Sequence, residues 1–486
     1  MTVRIAVIGA GISGLAAATW LRKLDPAVHV TVFERDERPG GKIRTDRVDG
    51  FVIDGGPDAF LSAKPGGLSL SRELGLEAEL IGPNPANKRS FVLSSGRLVP
   101  LPEGLSGLVP GELRPMFRSP LLSPQGKARM LLDLVLPPKP GNDDESLQVF
   151  VSRRVGSEMY ERMIEPLLAG IYAGDGARLS LAATFPQLRT AERTHGGIIK
   201  GAVAQKREAS RRQPQQQPSR GFLGFADGMS RLVDAAVARA RASGTEVRFR
   251  TAVEAIEATG GDGFDLSLAG ADGTAHERVD GMIVATPAWA AAPLLIDVAP
   301  EASRALASIE HVSSALVVVA FPESQLMRPL AGYGYVVPRV ERRDVMAMTW
   351  VSSKWERRAP EGQVLVRGFV GRAGQEAALA GDDSALVRLM VAELNDVLNL
   401  DVTPTLTRVY RWDGGMPQYN LGHLDRVAAI EASLARVPGI RLAGNMLRGV
   451  GIPDCIVSGQ EAATNLLAEL RSLTEDTPSS VAATGA

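Results

Sequence analysis

The chain opens on an unbroken apolar run, residues 3–8 (VRIAVI), that glycines interrupt at once. A short run without alternation fits a strand buried on both faces. Residues 14–24 (GLAAATWLRKL) follow as a small-residue helix, and 28–34 (VHVTVFE) as a second strand. Strand, helix and strand in this order predict a βαβ unit, hence a parallel sheet with helices on its faces. Between 144 and 170, apolar positions recur at helical spacing: Leu147, Phe150, Val151 and Val155, then Met159, Met163, Ile164, Leu167 and Leu168. Residues 86–205 therefore read as mostly helical, with prolines between 100 and 140 imposing long loops. Residues 206–220 (KREASRRQPQQQPSR) are polar, basic and Gln/Pro-rich, the composition of a disordered surface loop. A turn and an amphipathic helix come next. Short β-like runs occupy 246–250, 264–268, 279–286, 315–321, 333–337 and 364–370, and 384–398 reads as a helix. The last dozen residues (EDTPSSVAATGA) predict a frayed tail. No internal repeat interrupts this order.

The glycines after the first run carry the first chemical signal. Gly9-Ala10-Gly11-Ile12-Ser13-Gly14 matches GxGxxG, a weak pattern alone. Here a strand precedes it, a helix follows it, and Glu34 stands at the end of the second strand. That context predicts a Rossmann-type dinucleotide site. Gly9 permits the tight turn, Gly11 lets backbone approach a pyrophosphate, and Gly14 lets the helix pack on the strand. The helix N-terminus adds N–H groups and positive dipole. Ala10, Ile12 and Ser13 complete the turn, Glu34 is placed to accept hydrogen bonds from ribose hydroxyls, and Arg35 lies beside it. Directly afterwards comes Arg38-Pro39-Gly40-Gly41-Lys42-Ile43-Arg44-Thr45, whose adjacent glycines give backbone a close path beside a bulky ligand. Arg38, Lys42 and Arg44 add positive charge near the pyrophosphate. Asp54-Gly55-Gly56-Pro57-Asp58 forms a second tight turn. A nicotinamide site would not require this block, so the expected cofactor is noncovalent FAD, with Gly41, Lys42, Gly55, Gly56, Pro57 and Asp58 in its binding set.

Composition narrows the alternatives. The 486 residues are too many for one ordinary core, and 45% apolar with 22% charged residues is a globular profile. The 54 basic and 55 acidic residues leave a net charge of −1, which supplies no bulk attraction to nucleic acid or anionic membrane. A single cysteine, Cys455, excludes an internal disulfide and reads as a buried small apolar residue. The five histidines lack ligand spacing, so no metal site is expected. The N-terminal run reads as a strand entering a turn, not a signal peptide, and no segment has the length of an apolar membrane span. Cytoplasmic residence is expected, with room for peripheral membrane contact.

The RxGGxxxT spacing and the DGGPD turn resemble the flavin amine oxidase superfamily. So do the returning strand Ile283-Val284-Ala285-Thr286-Pro287, the segment Leu442-Ala443-Gly444-Asn445, and Gly449-Val450-Gly451-Ile452-Pro453-Asp454. Three further stretches, EPLLAGIYAGD (165–175), RWDGGMPQYNLGHLDR (411–426) and GVGIPDCIVSG (449–459), together resemble the porphyrinogen oxidases of haem synthesis. GGKIRT, GPDAFL, SPQGKARMLLDLVLPP at 123–138 and the SSKW…APEG stretch look closer to the bacterial coproporphyrinogen III oxidase branch than to the protoporphyrinogen branch. The resemblance implies an α/β architecture: a discontinuous FAD-binding domain from 1–85, 221–295 and 425–472, a helical domain at 86–220, a mixed α+β substrate domain at 296–424, and a flexible tail at 473–486. It adds Val253 as the backbone position beside adenine, and Trp412, Gly444, Asn445, Val450, Gly451 and Ile452 to the cofactor set. Many superfamily members carry an acid where Asn445 stands, which weakens a hydrogen-bond role for its side chain.

A porphyrinogen is a large apolar macrocycle with carboxylate arms, and its oxidation removes six hydrogens. The resemblance implies three flavin cycles with O₂ as acceptor and H₂O₂ as product. The chemistry belongs to the cofactor; the protein supplies position, dryness and charge complementarity. Gly170 is the candidate for the floor of an apolar slot and the catalytic candidate, although a helix C-terminal stop is an equal reading. Val336 and Phe369 resemble positions packed against the macrocycle, or are plain strand core. Lys64 and Arg89 resemble entrance cations that would meet the substrate's carboxylates, or are solvated surface charges. Expected partners are the tetrapyrrole and O₂, with transient contact to neighbouring haem-pathway enzymes and none to nucleic acid. Two other classes compete: an amine oxidase or carotenoid-type desaturase on the same scaffold, with Trp412 and Tyr419 as an aromatic cage, and a non-catalytic flavin or porphyrin carrier.

Overall fold

The computed structural model describes residues 2–103, 105–106, 109–211, 221–259, 263–270 and 273–475. Its first layer is a five-stranded parallel sheet, in the order Glu246–Arg248, His29–Phe33, Arg4–Ile8, Gly281–Val284 and Ile440–Leu442. The opening run forms the middle strand. Ile5 and Val7 point into one apolar cluster with the helices Ile12–Leu24, Ser230–Ala242 and Ile452–Glu475. Ala6 and Ile8 point into another with Ala288–Leu294, Pro300–Ala307 and His423–Leu434. Burial of both faces explains why this strand is a run and not an alternation.

The second layer is a seven-stranded mixed sheet. Its order is Leu406–Pro417, His311–Pro322, Gln363–Val370, Val345–Trp350, Gly334–Val336, Ser90–Ser94 and Arg97–Pro100. Here the strands alternate. Val317, Val319, Tyr335, Val364 and Val366 pack under the helix Asp383–Leu398. Leu316, Val318, Ala320 and Leu365 face the opposite way, towards Phe51, Ile53 and Trp355. The third layer is helical. Leu147–Val155, Glu165–Tyr172, Pro186–His195 and Ile198–Arg211 enclose Phe150, Val151, Met163, Leu168 and Ile198. Among the described residues no helix is long and apolar enough to cross a membrane.

Three expectations are corrected. Residues 90–100 lie in the stretch read as mostly helical but form a hairpin at the edge of the second sheet. Ser95 and Gly96 both have positive φ, 51° and 74°, the geometry of a tight hairpin turn. Residues 206–211 continue the helix that ends at Arg211, because Lys, Arg, Glu and Ala are good helix formers; 212–220 lie outside the described residues. Residues 473–475 likewise belong to the closing helix, while 476–486 lie outside.

The closing helix crosses the opening helix at Gly459, where a side chain would collide with the Ser13 carbonyl. Gly459→Val therefore wedges the two helices apart. The expected loss is ~1–3 kcal/mol, read as a lower urea midpoint; an unchanged midpoint would show that the contact yields freely.

Candidate active site

The cofactor end is built from backbone. Gly9, at φ 104°, donates its N–H to Phe33 at 2.7 Å and so ends the first strand. Gly40 donates to the Ala10 carbonyl at 2.8 Å, which lays the RPGG loop alongside the first turn. A side chain on Gly14 would collide with the Gly9 carbonyl, so the helix must start this close. A Cβ on Gly11 would meet nothing within 4 Å. Gly14 is thus required by packing, whereas Gly11 faces open space, as a phosphate approach needs. The Glu34 oxygens accept from Ala10 N–H at 2.8 Å and Asp36 N–H at 3.0 Å, which fixes the carboxylate and leaves further lone pairs for a ligand. The strand carrying Val253 runs beside it: Thr251 donates to the Glu34 carbonyl at 2.8 Å. Arg35 lies over the Trp289 ring, 5.4 Å from its centre.

Of the three cations expected near a pyrophosphate, two are committed elsewhere. Arg38 turns onto its own loop and donates to the carbonyls of Pro39 at 3.1 Å and Gly41 at 2.8 Å. Arg44 pairs with Asp46 at 3.0 Å. Lys42 has no ion-pair partner among the described residues, and burial pulls its pKa down. A half-buried ammonium without an anion leaves room for one.

The DGGPD turn joins this end to the second sheet. Gly56 lies so close to the Lys42 carbonyl that a side chain would collide with it, and Gly55 packs edge-on against the Tyr410 ring. Trp412 donates to the Gly55 carbonyl at 2.9 Å. Arg367, on the strand Gln363–Val370, pairs with Asp58 at 2.8 Å and donates to the Gly56 carbonyl at 2.9 Å. Lys354 at 2.8 Å and the Trp355 indole at 2.9 Å complete the ring around Asp58. The Asp58 carboxylate is therefore fully occupied by protein. What this turn offers a ligand is backbone.

The C-terminal glycines close on the same place. Gly444 approaches Ser13 of the first turn, its would-be Cβ 3.6 Å from the hydroxyl oxygen. Tyr419 donates to the Asn445 carbonyl at 2.6 Å, and His423 Nε2 lies 2.8 Å from the Leu447 carbonyl. Asp454 accepts from Gly451 N–H at 3.2 Å and pairs with Lys64 at 2.6 Å. Lys64, a candidate for the substrate's carboxylates, is thus bound to Asp454 and holds the cofactor segment instead. Cys455 is buried, and burial pushes its thiol up to about 11. Val450 packs on Tyr172, which brings the GIYAGD stretch to the cleft.

Gly170 lies in the last turn of Glu165–Tyr172, exposed, and a Cβ there would meet nothing within 4 Å. It does not stop the helix. The left-handed cap is Ala173, at φ 48°. The reading of Gly170 as a stop residue is thereby removed, and open space is what its missing side chain preserves. Ala169 and Ala173 of the same helix pack with Val312, Met346 and Phe369. Val336, Ala347 and Phe369 are direct cross-strand neighbours. Ala347 escaped the sequence reading, because a bulge between Val345 and Ala347 decides which residue stands between Val336 and Phe369. Arg89 is exposed and forms no ion pair among the described residues. Trp412 and Tyr419 do not form an aromatic cage: one is hydrogen-bonded to Gly55, the other to Asn445 and stacked on His423 at 4.1 Å. Among the described residues no cluster of three or more His, Cys, Asp or Glu could hold a metal.

A family model described as flavin containing amine oxidoreductase matches residues 12–467. Coproporphyrinogen III oxidase of Bacillus subtilis is 36% identical over 471 residues, covering 96% of this chain and 98% of that one. The chloroplastic protoporphyrinogen oxidase of rice is 30% identical over 481 residues, covering 95% of this chain and 87% of its own. A crystallised protein from Exiguobacterium superposes with a TM-score of 0.83 at 30% identity, covering 96% and 99%.

Burial alone raises the Asp58 carboxyl, but Arg367 and Lys354 outweigh it and hold the group well below the usual carboxylate range. A depressed carboxyl contributes stability above its unfolded pKa, about 3.9, and loses it as pH falls towards the folded value. Asp58→Asn leaves two buried cations unpaired, so urea unfolding at neutral pH should show a loss of ~3–5 kcal/mol. The variant should also lose less stability than the parent on acidification below about pH 4. Equal acid sensitivity in both proteins would contradict the assignment.

Proposed function

The chain belongs to the flavin containing amine oxidoreductases and, within them, to the porphyrinogen oxidases, and from that premise we propose that it oxidises coproporphyrinogen III to coproporphyrin III with noncovalent FAD. The substrate reading rests on one observation: the likeness to a coproporphyrinogen III oxidase runs over nearly the whole of both chains. FAD is favoured over a shorter flavin because the opening βαβ unit, Glu34 and the strand of Val253 build the place for an ADP half. The bare face of Gly11 and the unpaired Lys42 fit a diphosphate. Noncovalent binding agrees with a Cys455 thiol that burial keeps protonated.

The chemistry a bound flavin would supply is removal of two hydrogens per cycle, so three cycles with three O₂ as acceptor would remove six hydrogens and give three H₂O₂. The protein's own part is positional. Gly170 keeps backbone bare at the slot, so the macrocycle can lie against the helix without meeting a side chain. Ala347, Val336 and Phe369 line its apolar wall. Residues 1–85, 221–295 and 425–472 hold the cofactor in this reading, while 86–220 and 296–424 close over the substrate. The exposed side chains of Phe117, Leu132, Val135 and Val149 lie in the 86–220 segment and support peripheral contact of a cytoplasmic enzyme with a membrane surface.

Purified protein should be yellow and release FAD on acid treatment. Its kcat/KM should be higher for coproporphyrinogen III than for protoporphyrinogen IX; the reverse ranking moves the chain to the protoporphyrinogen branch, and no flavin reduction by either under anaerobic conditions refutes the enzyme reading. Gly170→Leu should lower turnover at least about ten-fold with flavin content and thermal midpoint unchanged, because its first side-chain atom meets no protein. Full activity in that variant would remove Gly170 from the slot.

A further inference from the structure

Glu165 opens the helix that carries Gly170, and two arginines meet it. Arg372 donates from Nη1 to one carboxylate oxygen at 3.1 Å. Arg339 Nε lies 3.6 Å from the same oxygen, and the Arg339 backbone N–H donates to the other at 3.0 Å. Glu165 and Arg372 are buried, while the Arg339 side chain is 33% exposed. Among the described residues no second carboxylate reaches either guanidinium. The Arg372 Nη2 is buried and donates to nothing. One anion therefore serves two cations: the buried Arg372 takes Glu165 at hydrogen-bonding distance, and the half-exposed Arg339 guanidinium keeps capacity for a second anion.

The cluster borders the slot. The Arg339 Nη2 donates to the Ala373 carbonyl at 3.0 Å, and Ala373 donates to the Ala173 carbonyl at 2.8 Å, at the end of the helix of Gly170. Glu165 stands five residues before Gly170, about 7.5 Å along the same helix. Arg339 also follows the strand of Val336 by three residues. At the other end of that strand stands Arg89, whose carbonyl accepts from Tyr333 at 2.7 Å. Six residue steps separate Tyr333 from Arg339, about 20 Å at strand rise. Arg89 thus stands beside one end of the Val336 strand and Arg339 beyond the other.

We propose that Arg339, held with Arg372 on Glu165, receives carboxylates at the second edge of the macrocycle and so selects a substrate with four carboxylates over one with two. The inference rests on the porphyrinogen reading above. A four-propionate ring presents carboxylates to both ends of the wall. A ring with two propionates and two vinyl groups presents them to one end and leaves Arg339 at the other end unmatched, so discrimination comes from a charge pair that only the four-carboxylate ring can form.

The test uses the FAD-loaded enzyme. Arg339→Gln leaves Arg372 on Glu165 as a balanced pair, so flavin content and thermal midpoint should hold. Its kcat/KM for coproporphyrinogen III should fall at least ten-fold, carried by KM, with less than a two-fold change for protoporphyrinogen IX. Binding of coproporphyrin III, followed by its fluorescence, should weaken in parallel, whereas the tetramethyl ester should bind parent and variant alike. Arg339→Lys, the second variant, should recover part of the loss. Equal losses on both substrates, or none, overturn the inference, as does an ester that weakens with the acid. Failure of the parent enzyme to oxidise either porphyrinogen would instead overturn the underlying reading.

Discussion

Arg367 and Asp58 meet 2.8 Å apart where the seven-stranded sheet rests on the turn that follows the first βαβ unit. Both are buried, and each makes further hydrogen bonds across the junction: Arg367 donates to the Asp54 and Gly56 carbonyls, and Asp58 accepts from Lys354 and Trp355. A buried pair of this kind contributes little as net attraction, but breaking it leaves a charge without water or partner. Its effect is to fix where two separately formed sheets sit. That placement brings the backbone of Gly55 and Gly56 against Lys42 and Trp412, and so defines one wall of the cleft.

Charges in the molecule divide into two groups by this standard. In the helical layer Arg154 pairs with Asp133 at 2.6 Å, and Arg153 bridges Glu145 and Glu192. These are satisfied and structural. Lys42 and the Arg339–Arg372 pair on Glu165 are not balanced by protein. Both unbalanced places border the cleft. An enzyme that takes a diphosphate cofactor and an anionic macrocycle is expected to hold its surplus cations there, since elsewhere in the interior they would only destabilise the fold.

Several parts of this arrangement were legible in the residues. The opening βαβ unit, the tight turn at Gly9, the close helix packing at Gly14, and the strands near 264–268, 315–321 and 364–370 agree with the structure, because each depends on local periodicity or on one glycine's steric freedom. The hairpin at 90–100 was missed although Ser95-Gly96 between two apolar runs is a turn signal; its neighbours in a helical stretch masked it. The strand Leu406–Pro417 was missed because its outward residues are charged and its inward ones widely spaced. Arg38 and Lys64 carry the right charge in the right stretch, yet one caps its own loop and the other binds Asp454 across 390 positions of sequence.

The residues by themselves determined the family and the opening βαβ unit, because those rest on spacing between near neighbours and on patterns that one buried or exposed face imposes. Only the tertiary structure decided which cations are free. A charge's availability depends on what packs beside it: Asp454 beside Lys64, Asp58 beside Arg367, Glu165 between Arg339 and Arg372. Those partners are hundreds of positions apart in three of the four pairs, and no local pattern encodes a meeting that the packing of separate sheets and helices brings about.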